Sequence, residues 1–188
     1  MTTTSVGTNL AALTGTYTID PSHSQIGFVA RHAMVTKVRG AFNEFTGTAV
    51  FDAADPAATA VTVTIQAASI DTRNAQRDEH LRSNDFLAMQ EFPEITFVST
   101  AFHETGEASF DLTGDLTVKG VAKSVTIPFR YEGAASDPFG NLRVGFEGSV
   151  EINRRDYGVT WNAALETGGF LVSDKIVLEF EISAIKNA

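Results

Sequence analysis

The chain's 188 residues, 43% of them hydrophobic and 20% charged, suit one domain with a full core. Fourteen Lys and Arg against 23 Asp and Glu leave a formal charge of −9, and no basic run exceeds Arg154-Arg155, which argues against nucleic acid and anionic membrane surfaces as partners. The absence of Cys rules out disulfides and thiolate metal sites, and no apolar run approaches the ~20 residues of a membrane-spanning helix.

Met1–Ser5 carries neither the basic region nor the apolar stretch of a secretory leader, so a cytoplasmic protein is expected. Residues 1–14 read as a flexible tail in which Asn9–Leu13 can form one helical turn plugging a barrel end, and residues 15–188 as a single domain. A first short strand runs from Gly15 to Asp20-Pro21. From Ser24, Ile26, Phe28, Ala30 and His32 share one face of a strand, opposite Gln25, Gly27, Val29 and Arg31. Val38–Asp52 is too irregular for one register, and a bulge near Gly40 or Gly47 would reconcile Phe42, Phe45, Val50 and Phe51. After Asp55-Pro56, Val61, Val63 and Ile65 alternate cleanly with Thr62, Thr64 and Gln66.

Between Ser69 and Pro93 this period-two pattern stops. Charges cluster, and the helix formers Ala75, Gln76, Arg77, Glu79, Leu81 and Arg82 replace Val and Thr, which predicts the one substantial helix, capped by Asp71 or Thr72. Ser83-Asn84-Asp85 interrupts it before a second short turn carrying Phe86, Leu87 and Met89. Alternation resumes at Ile95–Ser99, then at Phe110–Val118, Val125–Tyr131 and Leu142–Ile152, with turns at Gly106, Gly120 and Pro138–Asn141. Asn153–Val172 is a long loop with the single Trp, and Ile176–Ile182 the last strand. Short connections favour an antiparallel meander. Periodicity does not distinguish a sandwich from a barrel, but long strands with one covering segment favour a mainly β barrel of about eight strands, its mouth covered by the helix and the loop.

Several stretches, in order, resemble the YceI family: Tyr17–Ser24 leading to Phe28 and His32; Gly40, Phe42 and Gly47; Ser69–Thr72; Arg77–Ser83 with Phe86; Phe92–Phe97; Gly114–Gly120; and Asn153–Gly158. The resemblance spans residue 15 to the end. It implies a lipocalin-like antiparallel barrel with a long apolar cavity for a polyisoprenoid, quinone-like or other amphiphilic lipid, often a homodimer, without an established enzymatic activity. Many family members carry a secretory leader that this sequence does not show. The same motif implies that Arg77, Asp78 and His80 tie the helix to the barrel.

Fourteen Phe against three Tyr predict a wide interior poor in hydrogen-bond partners. The residues expected to line it are Phe28, Ala30, Phe42, Phe45, Val63, Ile65, Phe97, Leu112 and Phe129 from strands, Leu81, Phe86 and Met89 from the covering segment, and Trp161 from the loop. By parity His32 is a polar group on the same face. Arg154 and Arg155 are head-group candidates, against the simpler expectation that they pair with Asp156 and neighbouring carboxylates. His23, His32, His80 and His103 lack metal-ligand spacing, so no metal site is expected, and no nucleophile elbow is present. Asp78 with Arg77 or Arg82 would make surface ion pairs, and Glu79 a solvated face. The expected function is a non-catalytic carrier, storage or stress-related sequestering protein with no cofactor other than its lipid. The competing expectations are an enzyme acting on a lipid-like substrate with His32 or His80 as general base, and an interaction module with no internal cavity.

Overall fold

The computed structural model describes residues 10–188; most of the stretch read as a tail, residues 1–9, lies outside the described residues. Leu10–Leu13 forms a 3-10 turn, tied down by the Tyr17 hydroxyl donating to Leu13 O at 2.6 Å. Eleven strand segments follow: β1 (Gly15–Ile19), β2 (Gln25–His32), β3 (Thr36–Phe42), β4 (Phe45–Phe51), β5 (Ala60–Gln66), β6 (Ile70–Asp71), β7 (Glu94–Gly106), β8 (Ser109–Val118), β9 (Val121–Ser136), β10 (Leu142–Asn153) and β11 (Lys175–Lys186). The helix α1 (Ala75–Arg82) lies between β6 and β7.

Pairing follows the order of the chain once three pairs of consecutive segments are each taken as one stave. β2 with β1 faces β3 with β4, which in turn faces β6 with β5, and β7 to β11 continue the meander. β11 closes the ring by pairing with β2 through residues 177–181 and with β1 through residues 184–186. Three pairs of segments are thus kinked single staves, and the result is a closed eight-stave antiparallel barrel. The irregularity expected near Gly40 or Gly47 is instead a break at Asn43-Glu44, with the two glycines inside regular β3 and β4.

The kink between β1 and β2 has a chemical cause. Asp20 ends β1, accepts hydrogen bonds from the Ser22 backbone and hydroxyl, and lies 2.8 Å from His23 Nδ1. Its other oxygen takes Arg143 Nη1 at 2.7 Å, while Arg143 Nε donates to Asp137 Oδ2 at 2.9 Å in the β9–β10 turn. One guanidinium therefore ties the kink to a hairpin across the barrel wall. Hydrogen bonds from Ser22 and then Arg143 hold the Asp20 carboxyl well below the usual range, and those from Asn141, with Arg143, do the same for Asp137.

Glycines on the inner face make room for rings. Phe28 lies directly across from Gly40, where a Cβ would come within 2.3 Å of the phenyl, and Phe129 and Phe180 both face Gly148 on either side. Gly114 similarly receives the Phe97 ring. The alternation of large and empty positions lets the barrel bend while its wall stays filled.

Two predictions follow from this wall. Gly40→Ala should lower unfolding free energy in urea by about 1–3 kcal/mol through overpacking against Phe28, and Phe28→Leu in the same chain should recover part of it. Both carboxyls are depressed in the folded state, so their contribution is present above the unfolded carboxylate range and disappears as pH falls through the folded values. Arg143→Met should therefore lower Tm clearly at pH 7 and progressively less towards pH 2, measured by calorimetry across that range.

Candidate functional site

The inward rows enclose a cavity of about 480 Å³, within the ~300–1,000 Å³ usual for small-molecule sites. Its walls are Phe28 and Ala30 of β2, Phe42 of β3, Val63 and Ile65 of β5, Phe97 of β7, Leu112 of β8 and Phe129 of β9, all expected there and all but Phe42 placed by strand parity. Leu81 and Phe86 of the covering segment also line it. Phe45 and Met89 are instead packed in the surrounding core. Trp161 stands behind the wall, with its ring centroid 5.3 Å from that of Phe86 and 4.7 Å from that of His80.

Sequence reasoning omitted several lining residues. Phe102, Phe110, Phe146 and Phe180 join the wall, linked through ring centroids 4.8 Å apart for Phe102–Phe110, 5.6 Å for Phe110–Phe129 and 5.9 Å for Phe129–Phe180. Phe110 shares strand parity with Leu112, whereas Phe146 and Phe180 lie on β10 and β11, alternating strands from which no lining residue had been chosen. Phe102 is displaced from the parity of Phe97 by a register shift between Ser99 and Ala101.

The two ends of the cavity differ. Exposed lining residues Glu104, Glu107 and Ala108 mark an open mouth at the β7–β8 hairpin, where Leu13 also reaches the lining. At the opposite end the lining is buried: Phe86, Arg154, Tyr157 and Val159 are each exposed by 6% or less. The helix and the long loop therefore close the blind end, a correction to their expected place over the mouth.

Arg154 closes this end through its backbone contacts. Its guanidinium donates to Ser173 O at 2.9 Å, Val159 O at 2.8 Å, Trp161 O at 2.9 Å and Val172 O at 3.4 Å, with Asp174 3.6 Å away. Burial lowers its pKa, partly opposed by the Asp174 carboxylate. These donors are spent on the loop, so Arg154 is not free to act as the head-group candidate, nor does it pair with Asp156. Arg155 pairs with Asp174 at 2.8 Å rather than with Asp156. Asn162 adds two bonds to Val172, from its Nδ2 to Val172 O and from Val172 N to its Oδ1.

The helix is held by a second polar cluster. Asn74, not Asp71 or Thr72, is the cap, accepting from Arg77 N at 3.0 Å. Asp71 instead accepts from Arg73 N, and Thr72 is buried, donating its N–H and hydroxyl to the buried Asp78. Arg77 reaches back to the Thr72 hydroxyl and carbonyl at 2.7 and 2.8 Å, and Arg82 to Ala68 O and Ile70 O at 2.8 and 3.1 Å. The Asp78 ion pairs expected on a helix surface are replaced by this anchorage; Glu79 is exposed as expected.

His32 is exposed at the end of β2, which corrects its expected place inside. His80 lies 2.8 Å from Asp85 and edge-on to Phe86 and Trp161, outside the lining. Neither histidine faces the cavity as a general base. The phenols that do reach the lining are Tyr17, Tyr131 and Tyr157; burial raises all three, Tyr157 to about 12 with help from Asp156, so they stay neutral at neutral pH.

An up-and-down barrel around an apolar, single-mouthed cavity defines a lipocalin-like fold. The chain matches the YceI-like domain over residues 17–184 and belongs to the YceI family. It is 41% identical over 151 residues to a UPF0312 protein of Ectopseudomonas mendocina, covering 79% of each chain, and 42% identical over 150 residues to one of Pseudomonas aeruginosa, covering 79% of this chain and 78% of the other. Among solved structures it resembles Burkholderia cenocepacia BcnA, with TM-score 0.77 and 27% identity over 88% of this chain and 98% of that one. A polyisoprenoid binding domain from Saccharophagus degradans shares the fold, with TM-score 0.69 and 14% identity over 91% and 98% of the two chains.

Removing the Arg154 guanidinium takes its donor from the buried Val159 carbonyl and from the half-buried Trp161 and Ser173 carbonyls. Arg154→Met should cost about 3 kcal/mol or more in urea unfolding and increase amide exchange over residues 159–173.

Proposed function

We propose that this protein binds a polyisoprenoid or similar long-chain amphiphile inside the barrel and serves as a lipid carrier, store or sequestering protein. The observation that carries the reading is the cavity: about 480 Å³ of space walled by phenyl and aliphatic side chains contributed by staves around the whole ring. A void lined this way is poorly suited to water and well suited to hydrocarbon. Family membership and the fold shared with a polyisoprenoid binding domain support the same ligand class.

Burying ten chain carbons at ~0.8 kcal/mol each supplies about 8 kcal/mol, near micromolar affinity before ordering costs. No dedicated polar contact is needed for that. The chain's tail would lie along the Phe97–Phe129–Phe28 wall with its head towards the β7–β8 mouth. An interaction module without a cavity fits this interior less well.

The test is mass spectrometry of organic extracts from protein purified without detergent. A stoichiometric long-chain lipid is expected from the wild type. Phe97→Asp, which puts a charge where a ring now packs, should fold and yield none. Wild-type extracts without lipid, together with failed reconstitution, would overturn the reading.

A further inference from the structure

The end of the barrel opposite the mouth carries a cluster of exposed apolar side chains. There the β2–β3 turn exposes Met34 by 67% and Val35 by 76%, and the neighbouring loop exposes Phe170 by 54%. The two tips form one platform. Ala33 N donates to Leu171 O at 2.7 Å, His32 bridges Val172, and Met34 lies so close over Gly169 that a Cβ there would come within 2.7 Å of its sulfur.

The turn is also conformationally expensive. Val35 N donates to His32 O at 3.0 Å, and both central residues, Ala33 and Met34, have positive φ, 50° and 61°. That turn favours Asn-Gly, yet two side-chain-bearing residues hold it and present an unburied methionine. Immediately behind the tip, Arg31 and Lys37 stand directly across from one another on the outer face. Both are exposed, and neither side chain has an ion-pair or hydrogen-bond partner among the described residues. Opposed like charges on paired strands cost stability, more notably in a chain whose net charge is −9. The loop from 163 to 172 contributes one carboxylate, Glu166.

We propose that this platform is a peripheral docking surface for an anionic lipid bilayer: Met34, Val35 and Phe170 enter the interfacial layer while Arg31 and Lys37 meet lipid phosphates. Apolar tips backed by unpaired cations match both parts of such a surface. Net charge hides the platform because it averages over the whole chain, whereas the attraction is local and screened within about 8–10 Å. Docked this way, the protein turns the acidic mouth, with Glu104 and Glu107, away from the membrane and lays the cavity's Arg154-held cover against it. Val172 belongs both to this platform and to the cavity lining.

The chain has no cysteine, so Val35→Cys and, on the side of β7, the exposed Val98→Cys each accept a single environment-sensitive dye. With vesicles of phosphatidylcholine containing 30% phosphatidylglycerol, the dye at residue 35 should shift to the blue and the dye at residue 98 should not. Arg31→Glu with Lys37→Glu should weaken partitioning of unlabelled protein by roughly 25-fold or more in co-sedimentation, and raised salt should weaken the wild type. Met34→Ser with Val35→Ser should abolish the cosedimented fraction while leaving the melting temperature near that of the wild type. Failure of the wild type to bind these vesicles, equal binding to pure phosphatidylcholine, or a blue shift at residue 35 on self-association without vesicles would overturn the proposal. Lipid content of the cavity is read separately by extraction, so either result leaves that reading to its own test.

Discussion

A guanidinium cannot be buried with idle N–H groups, and the blind end of this barrel is built around that constraint. Arg154 is 5% exposed and turns its donors to four carbonyl oxygens of the segment between Val159 and Ser173. The loop has little regular structure of its own, so these bonds substitute for a ladder in fixing its path. Because the loop is fixed, Trp161 is held against Phe86 and His80, and the covering segment gains a firm neighbour. Because both pieces are fixed, the apolar space above them ends in a floor instead of a through-channel.

The wall obeys a complementary constraint. A barrel lined by this many rings must either fill or leave a void, and the inner glycines decide which. Where Gly40, Gly114 and Gly148 remove a side chain, a phenyl from the neighbouring strand takes up the space and the wall is tight. Phe102, Phe110 and Phe146 form a chain of ring contacts, 4.8 and 5.8 Å between centroids, and line the cavity that remains. The Asp20–Arg143–Asp137 bridge holds the kinked β1–β2 stave against the β9–β10 hairpin, so the ring closes where its first strand changes direction. Cavity and closure are thus set by different chemistry, one apolar and short-range, the other ionic.

Much of this was legible in the residues. Period-two alternation selected the inward rows of β2, β5, β8 and β9 because one buried face writes itself into every second position, and the charged helical stretch stood out against it. The site was legible to the same depth: Phe28, Phe97 and Phe129 follow from parity alone. What failed has common causes. Phe102 was lost to a bulge that shifts parity without any local sequence mark. His32 has inward parity but sits where β2 has already left the barrel wall. Asp71 and Thr72 are good caps by type, yet Asn74, which the sequence reading did not single out, holds the position, and Thr72 is recruited by Asp78. Arg154 reads as a surface cation in sequence, and only the loop's carbonyls, brought together by the fold, show why it is buried. Which end of the barrel opens is a property of tertiary packing with no counterpart in periodicity.

The central claim is that hydrocarbon burial in the cavity provides the binding energy, and chain length is the variable that isolates it. Calorimetric titration with a series of straight-chain primary alcohols from eight to sixteen carbons holds the head group constant. The account predicts that affinity rises about fourfold with each added methylene, equivalent to ~0.8 kcal/mol, until the cavity is full and the increments stop. Affinity independent of chain length across the whole series would contradict it.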